Sequence, residues 1–187
     1  MHRRRLNELL TRYVAAWPAE GAIAARFAAF LASRDDCLLR TCPPGHVTAS
    51  AWIVSPDGER ALLTHHRKLG RWLQLGGHVD GEANVERAAV REAEEESGMT
   101  GFTLVEWTTA GLVPLDLDVH PIPARRDEPE HLHWDVRFLL RAPAGQALVV
   151  SHESNDLRWF TNDELRAVTA EDSVLRLARK AATILAR

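Results

Sequence analysis

The chain has 187 residues, 45% of them hydrophobic and 26% charged, with a formal net charge of −3. A single domain of this size buries roughly two-thirds of its unfolded surface, so its core needs no disulfide or metal staple. The near-balanced charge offers no basic patch for nucleic acid, no stretch approaches the ~20 apolar residues of a membrane span, and two cysteines, Cys37 and Cys42, make neither a disulfide framework nor a four-ligand zinc site. The N-terminal "MHRRRLNELL" is basic, but the adjoining segment is amphipathic and broken at Arg12, Trp17-Pro18 and Glu20, unlike a signal peptide. A cytoplasmic location is expected.

Leu6, Leu9, Leu10, Tyr13 and Val14 recur at helical spacing, and after the Trp17-Pro18 break so do Ile23, Phe27, Phe30 and Leu31. Residues 1–36 therefore read as a helical lead-in of two short helices. Their apolar residues offer a face to a second copy, so a homodimer is admitted. Val47, Ala49, Ala51 and Ile53 alternate as a strand, which turns at Ser55-Pro56-Asp57-Gly58 into Ala61, Leu62 and Leu63, giving a hairpin. A helix is expected over Val85 to Ser97, with Asn84 as N-cap and Gly98 as stop. "FTLVEWTTAGLV" resumes β character, and "PLDLDVHPIPARRDEPEHLH", rich in proline and charge, reads as a long surface loop. "HWDVRFLLRA" and "LRWF" are further strands, and one amphipathic helix is expected over Asp163 to Arg187, its part from 169 on closing the domain. This order predicts an α/β fold in which helices cover a mixed sheet.

On the helix, Glu92, Glu95 and Glu96 share one face while Val85, Ala88, Ala89 and Ala93 share the buried one. Carboxylates in a last helical turn oppose the helix dipole by roughly 0.3–1 kcal/mol each. Arg91 can pair with Glu95 one turn on, but one guanidinium cannot neutralise three carboxylates, whereas a hard divalent cation with oxygen ligands can. Mg²⁺ or Mn²⁺ suits such a face, and Gly76-Gly77 offers a backbone that approaches without a Cβ in the way.

Gly77, Arg91, Glu92, Glu95, Glu96 and Gly98, with Ala93 and Met99 at the apolar positions, stand in the register of the Nudix box. The stretch resembles that family's signature, and residues 46–168 share further features with it. "GRWLQLGGH" resembles the approach strand, with Leu75 where many members have proline, and "ESNDLRWFTNDEL" resembles the downstream Trp-Phe segment. The resemblance implies an α/β/α sandwich that hydrolyses a phosphoric anhydride in a nucleoside diphosphate derivative or nucleoside triphosphate. It also implies that Glu92, Glu95 and Glu96 hold Mg²⁺ with the Gly77 carbonyl, and that a glutamate of this set or of a loop is the general base. Glu153, six residues before Trp159, stands where members often carry an added ligand or base. One departure is Ala83, which occupies the place of the glutamate that supports the motif arginine; Glu82 or Asp80 is expected to hold Arg91 instead.

Other residues are candidates for binding the small nucleotide-type substrate. His78 follows the glycine pair, His65 and His66 end the hairpin, Arg125 and Arg126 lie in the Pro-rich loop, and Trp107 or Trp134 is either core or a stacking surface for a base. His131, His133 and Asp135 fall on one face of a strand, with Asp118 and His120 before it. Their spacing matches no established zinc pattern, so contact with the substrate by one or two of them is expected ahead of a second site with zinc-like ligands. The rival to an enzyme is a Nudix-type module that senses a nucleotide without cleaving it.

Overall fold

The computed structural model describes residues 3–125, 128–152 and 154–186. Two helices, α1 (Arg4–Ala16) and α2 (Gly21–Ser33), precede β1 (Gly45–Val54), β2 (Ala61–His66), β3 (Arg71–Leu73) and β4 (Leu75–His78). Helix α3 (Val85–Ser97), β5 (Thr103–Leu104), β6 (Asp116–Ile122), β7 (His131–Arg141), β8 (Ser154–Phe160), α4 (Asn162–Val168) and α5 (Asp172–Leu185) complete the order. The strands form one mixed sheet. β1 pairs parallel with β7 from Gly45↔Leu132 to Val54↔Arg141, and antiparallel with β4 at one end and β2 at the other.

All of β1 is buried, because both sheet faces are covered. Val47, Ala49, Ala51 and Ile53 face a core shared with α1, α2 and α3, in which Leu6, Leu9, Phe27, Ala88 and Ala93 meet Val136 and Phe138. Trp52 and Val54 face a second core under α4 and α5, with Leu139, Phe160, Leu165, Val174 and Leu177. Of the residues that suggested a face for a second copy, Leu6, Leu9, Tyr13 and Phe27 are fully buried in this chain's own core, while Val14 stays exposed.

Three expectations need correction. The Pro-rich "loop" contains a strand: β6 pairs antiparallel with β7 from Asp116↔Arg137 to Ile122↔His131, because Leu117 and Val119 alternate inward. The proline at 121 is tolerated because β6 pairs β7 alone, leaving it an outer edge where no ladder donor is required. β5 is only Thr103–Leu104, since the rest of that segment turns away. The terminal helix is two helices, with Thr169 extended at the break (φ −142°, ψ 139°) and a Thr161–Glu164 capping box starting α4.

Candidate active site

Helix α3 packs Val85, Ala88, Ala89 and Ala93 into the core and lies against both β1 and β4, which brings Glu92 to Gly77 and Glu96 to Gly76. Gly98 ends it in a left-handed conformation (φ 69°), its N–H bonded to the Glu94 carbonyl. Asn84 holds the N-cap position without a side-chain cap; its own N–H donates to Glu82 Oε1 at 2.8 Å. The carboxylate of Glu92 lies directly over Gly77. A Cβ placed there would come 2.5 Å from Glu92 Oε2, so only glycine admits this approach. Glu96 Oε2 accepts from the Gly76 N–H at 3.4 Å.

Arg91 links these parts. Its Nη1 meets Glu92 Oε1 at 2.8 Å and Glu95 Oε2 at 3.2 Å, and its Nη2 donates to the His78 carbonyl at 2.7 Å, tying α3 to the end of β4. Neither carboxylate expected to replace the missing partner does so. Asp80 is held by Arg40 in a two-point contact, 3.0 Å on each oxygen, and Glu82 is spent on Asn84. A backbone carbonyl stands in for the lost glutamate.

Burial pushes the Glu92 carboxyl above its ordinary range, and Arg91 offsets only part of that. A half-buried carboxylate held under a glycine, with a second at the neighbouring residue's amide, is a hard oxygen donor set, and it fits Mg²⁺ or Mn²⁺. Glu92, Glu95, Glu96 and the Gly77 carbonyl are the residues that would hold it.

The NUDIX domain family description matches residues 44–179, most of the chain. The chain belongs to the Nudix family. A Mycobacterium tuberculosis protein provisionally named 8-oxo-dGTP diphosphatase 3 is 32% identical over 117 residues, which are 59% of this chain and 48% of that one. The chain thus spans about half the length of this curated relative. A Nudix-family hydrolase from Clostridium perfringens superposes with a TM-score of 0.60 at 24% identity, covering 75% of this chain and 97% of that one. An Ap4A hydrolase from C. elegans superposes with a TM-score of 0.59 at 21% identity, again over 75% and 97%.

The remaining candidates of this Nudix chain fall in different places. Glu153 and Arg126 lie outside the described residues. His66 ends β2 opposite Ser154 and Arg71, its Nδ1 accepting the Lys68 amide at 3.2 Å, and His65 packs on Trp72. Arg125 is exposed and bridges to Glu128 through the backbone. Trp134 is a correction: it is 8% exposed, stacked on Phe30 with ring centroids 4.3 Å apart, so no face remains for a base. One step along a strand reverses the face, so Trp134 points into the core while His133 and Asp135 point away.

That opposite face is a polar band that the sequence reading caught only in part. Asp135 accepts from Thr48, Ser50 and Arg137, and Arg137 also reaches Asp116 and Asp118. Arg176 and Lys180 of α5 close the network on Asp116 at 2.9 and 3.0 Å. His46, His78, His120, His131 and His133 gather at its open end, with ring centroids 4.9–5.5 Å apart. Sequence reasoning missed His46 and Arg40. The available signal for His46 was its alternation with Thr48 and Ser50, the polar half of the strand whose apolar half defined β1.

Proposed function

We propose that this chain hydrolyses a phosphoric anhydride bond in a nucleoside diphosphate derivative or nucleoside triphosphate, using Mg²⁺ or Mn²⁺. The observation that carries this reading is the Glu92 carboxylate seated over Gly77, with Arg91 bridging helix and strand beside it. The names of the relatives support hydrolysis of nucleotide phosphates. A divalent cation, when bound, supplies charge stabilisation on the phosphoryl oxygens and a more acidic water. Glu92, Glu95 and Glu96 would hold it together with the Gly77 carbonyl, and Arg91 positions Glu92. A glutamate of this set, or Glu153, takes the proton from the attacking water. Free, buried Cys37 and Cys42 support a cytoplasmic setting, and no helix is long and apolar enough to cross a membrane among the described residues.

The test is a panel of nucleotide sugars, ADP-ribose, dinucleoside polyphosphates and NTPs assayed with Mg²⁺ for release of phosphate or nucleotide. Turnover of at least one is expected, and Glu95→Gln or Glu96→Gln should lower its rate at least ~100-fold, since losing a metal ligand removes several kcal/mol of charge stabilisation. Wild-type activity in both variants would overturn the site. Tight binding of one compound without turnover would replace the enzyme by a nucleotide sensor.

A further inference from the structure

We propose that His46, His131 and His133 form a second metal site, distinct in its ligands from the carboxylate face of α3, that takes a divalent transition ion of the zinc class. Among the described residues, these three are the ones whose ligand atoms all lie within 4.8 Å of one another. His46 is the second residue of β1 and sits opposite His133 in the parallel β1–β7 ladder, with His131 two residues before on the same face. Ladder register therefore fixes all three.

Three further observations point to a ligand. His46 is 1% exposed, yet neither of its ring nitrogens has a hydrogen-bond partner among the described residues. A buried imidazole is left this way only at a cost that a metal bond would relieve. The Nδ1 of His131 faces the Pro129 carbonyl at 2.9 Å. A carbonyl can only accept, so Nδ1 carries the proton and Nε2 presents its lone pair, the arrangement by which outer hydrogen bonds orient metal-bound histidines. That Nε2 lies 3.3 Å from Nε2 of His133. Two nitrogens bound tetrahedrally at about 2.0–2.1 Å are themselves about 3.3–3.4 Å apart.

Asp135 is committed to Thr48, Ser50 and Arg137, and Asp118 to His120, Arg137 and Arg176, while Glu128 Oε1 stands 3.8 Å from His131 Nε2 at the edge of the cluster. An all-imidazole set selects zinc-like ions over Mg²⁺ and, with three protein ligands, leaves one tetrahedral position for water or a substrate oxygen. The ring of His78, 4.9 Å from that of His46, connects this site to the box, whose Arg91 holds the His78 carbonyl.

The experiment titrates the chelator-treated full chain with Co²⁺ as a spectroscopic stand-in for Zn²⁺. The expected result is one equivalent with the strong visible absorption of tetrahedral cobalt, displaced by Zn²⁺ and unchanged in the Glu95→Gln/Glu96→Gln double variant. His131→Gln and His133→Gln, each checked for folding by circular dichroism, should weaken binding at least ~100-fold. Absence of the band from the wild-type chain, or its loss in the glutamate variant with survival in the histidine variants, would overturn the proposal. Histidine-ring NMR of the unmodified chain answers the same question if a variant misfolds: stoichiometric Zn²⁺ must shift three rings, and failure to shift them overturns it.

Discussion

Gly76 and Gly77 are neighbours in the same short strand, yet they do different work. At Gly77 an added methyl meets only the end of the Glu92 side chain, 2.5 Å from Oε2 and 2.7 Å from Cδ, so the fold can accept it by moving a carboxylate. At Gly76 (φ 155°) the methyl meets backbone, 2.6 Å from the Ser50 Cα and 2.7 Å from the Ala49 carbonyl, which a paired strand cannot move aside. Gly77→Ala should therefore fold with stability within ~1 kcal/mol of wild type and, on the proposed metal role of Glu92, lose activity that excess Mg²⁺ partly restores. Gly76→Ala should lose roughly 1–3 kcal/mol by overpacking, read as a lower melting temperature. Equal melting temperatures for the two variants would refute this division. The glycine pair and the carboxylates were legible in the sequence because the box spacing is rigid. The partner of Arg91 was not, because what replaces the missing side chain is a backbone carbonyl, and backbone carbonyls leave no mark on sequence.

At the level of elements, what was hardest to read is what the polar band builds. β6 looked like a loop because its segment is rich in proline and charge, yet Leu117 and Val119 face one core while, on the other face, Asp116 is fully buried and Asp118 and His120 partly so. Burial of alternating acids is illegible without their cations, and those come from far along the chain: Arg137 on β7, Arg176 and Lys180 on α5. The same separation hid His46, which lies on a different strand from His131 and His133. By contrast α1, α2, α3 and the β1–β2 hairpin each carry their own periodicity and were readable locally. The network makes a sharp prediction. Arg137 is 2% exposed and is bonded to Asp116, Asp118 and Asp135. Arg137→Met removes the central cation and leaves buried acids uncompensated, which should cost ~3–5 kcal/mol and lower the melting temperature by at least ~6 °C. A change below about 2 °C would mean that Arg176 and Lys180 suffice alone.

Across the whole molecule, the two apolar cores lie on opposite faces of one sheet, and the Asp116 network is the point where α5 from one side meets the end of α1 from the other. Lys180 of α5 bonds Asp116, Glu20 and the Tyr13 hydroxyl, and its ammonium sits 4.2 Å from the Trp17 ring centroid. Charge, rather than further apolar contact, joins the layers here, so the joint should be sensitive to acid. Burial pushes the Asp118 carboxyl upward, but His120, Arg137 and Arg176 outweigh it and hold the group well below the usual carboxylate range. A folded-state value below the unfolded one, about 3.9, means that the unfolded chain binds the proton first as pH falls. The stabilisation is therefore complete above about pH 5 and drains away below about pH 4. Melting temperatures measured from pH 7 to pH 3 should fall steeply over the lowest unit. Arg176→Met, which removes one of the cations on Asp118, should reduce stability at pH 7 and flatten that acid limb, since less of the depression remains to be lost. If the variant melts lower by the same amount at every pH, Asp118 does not link α5 to the sheet through its charge.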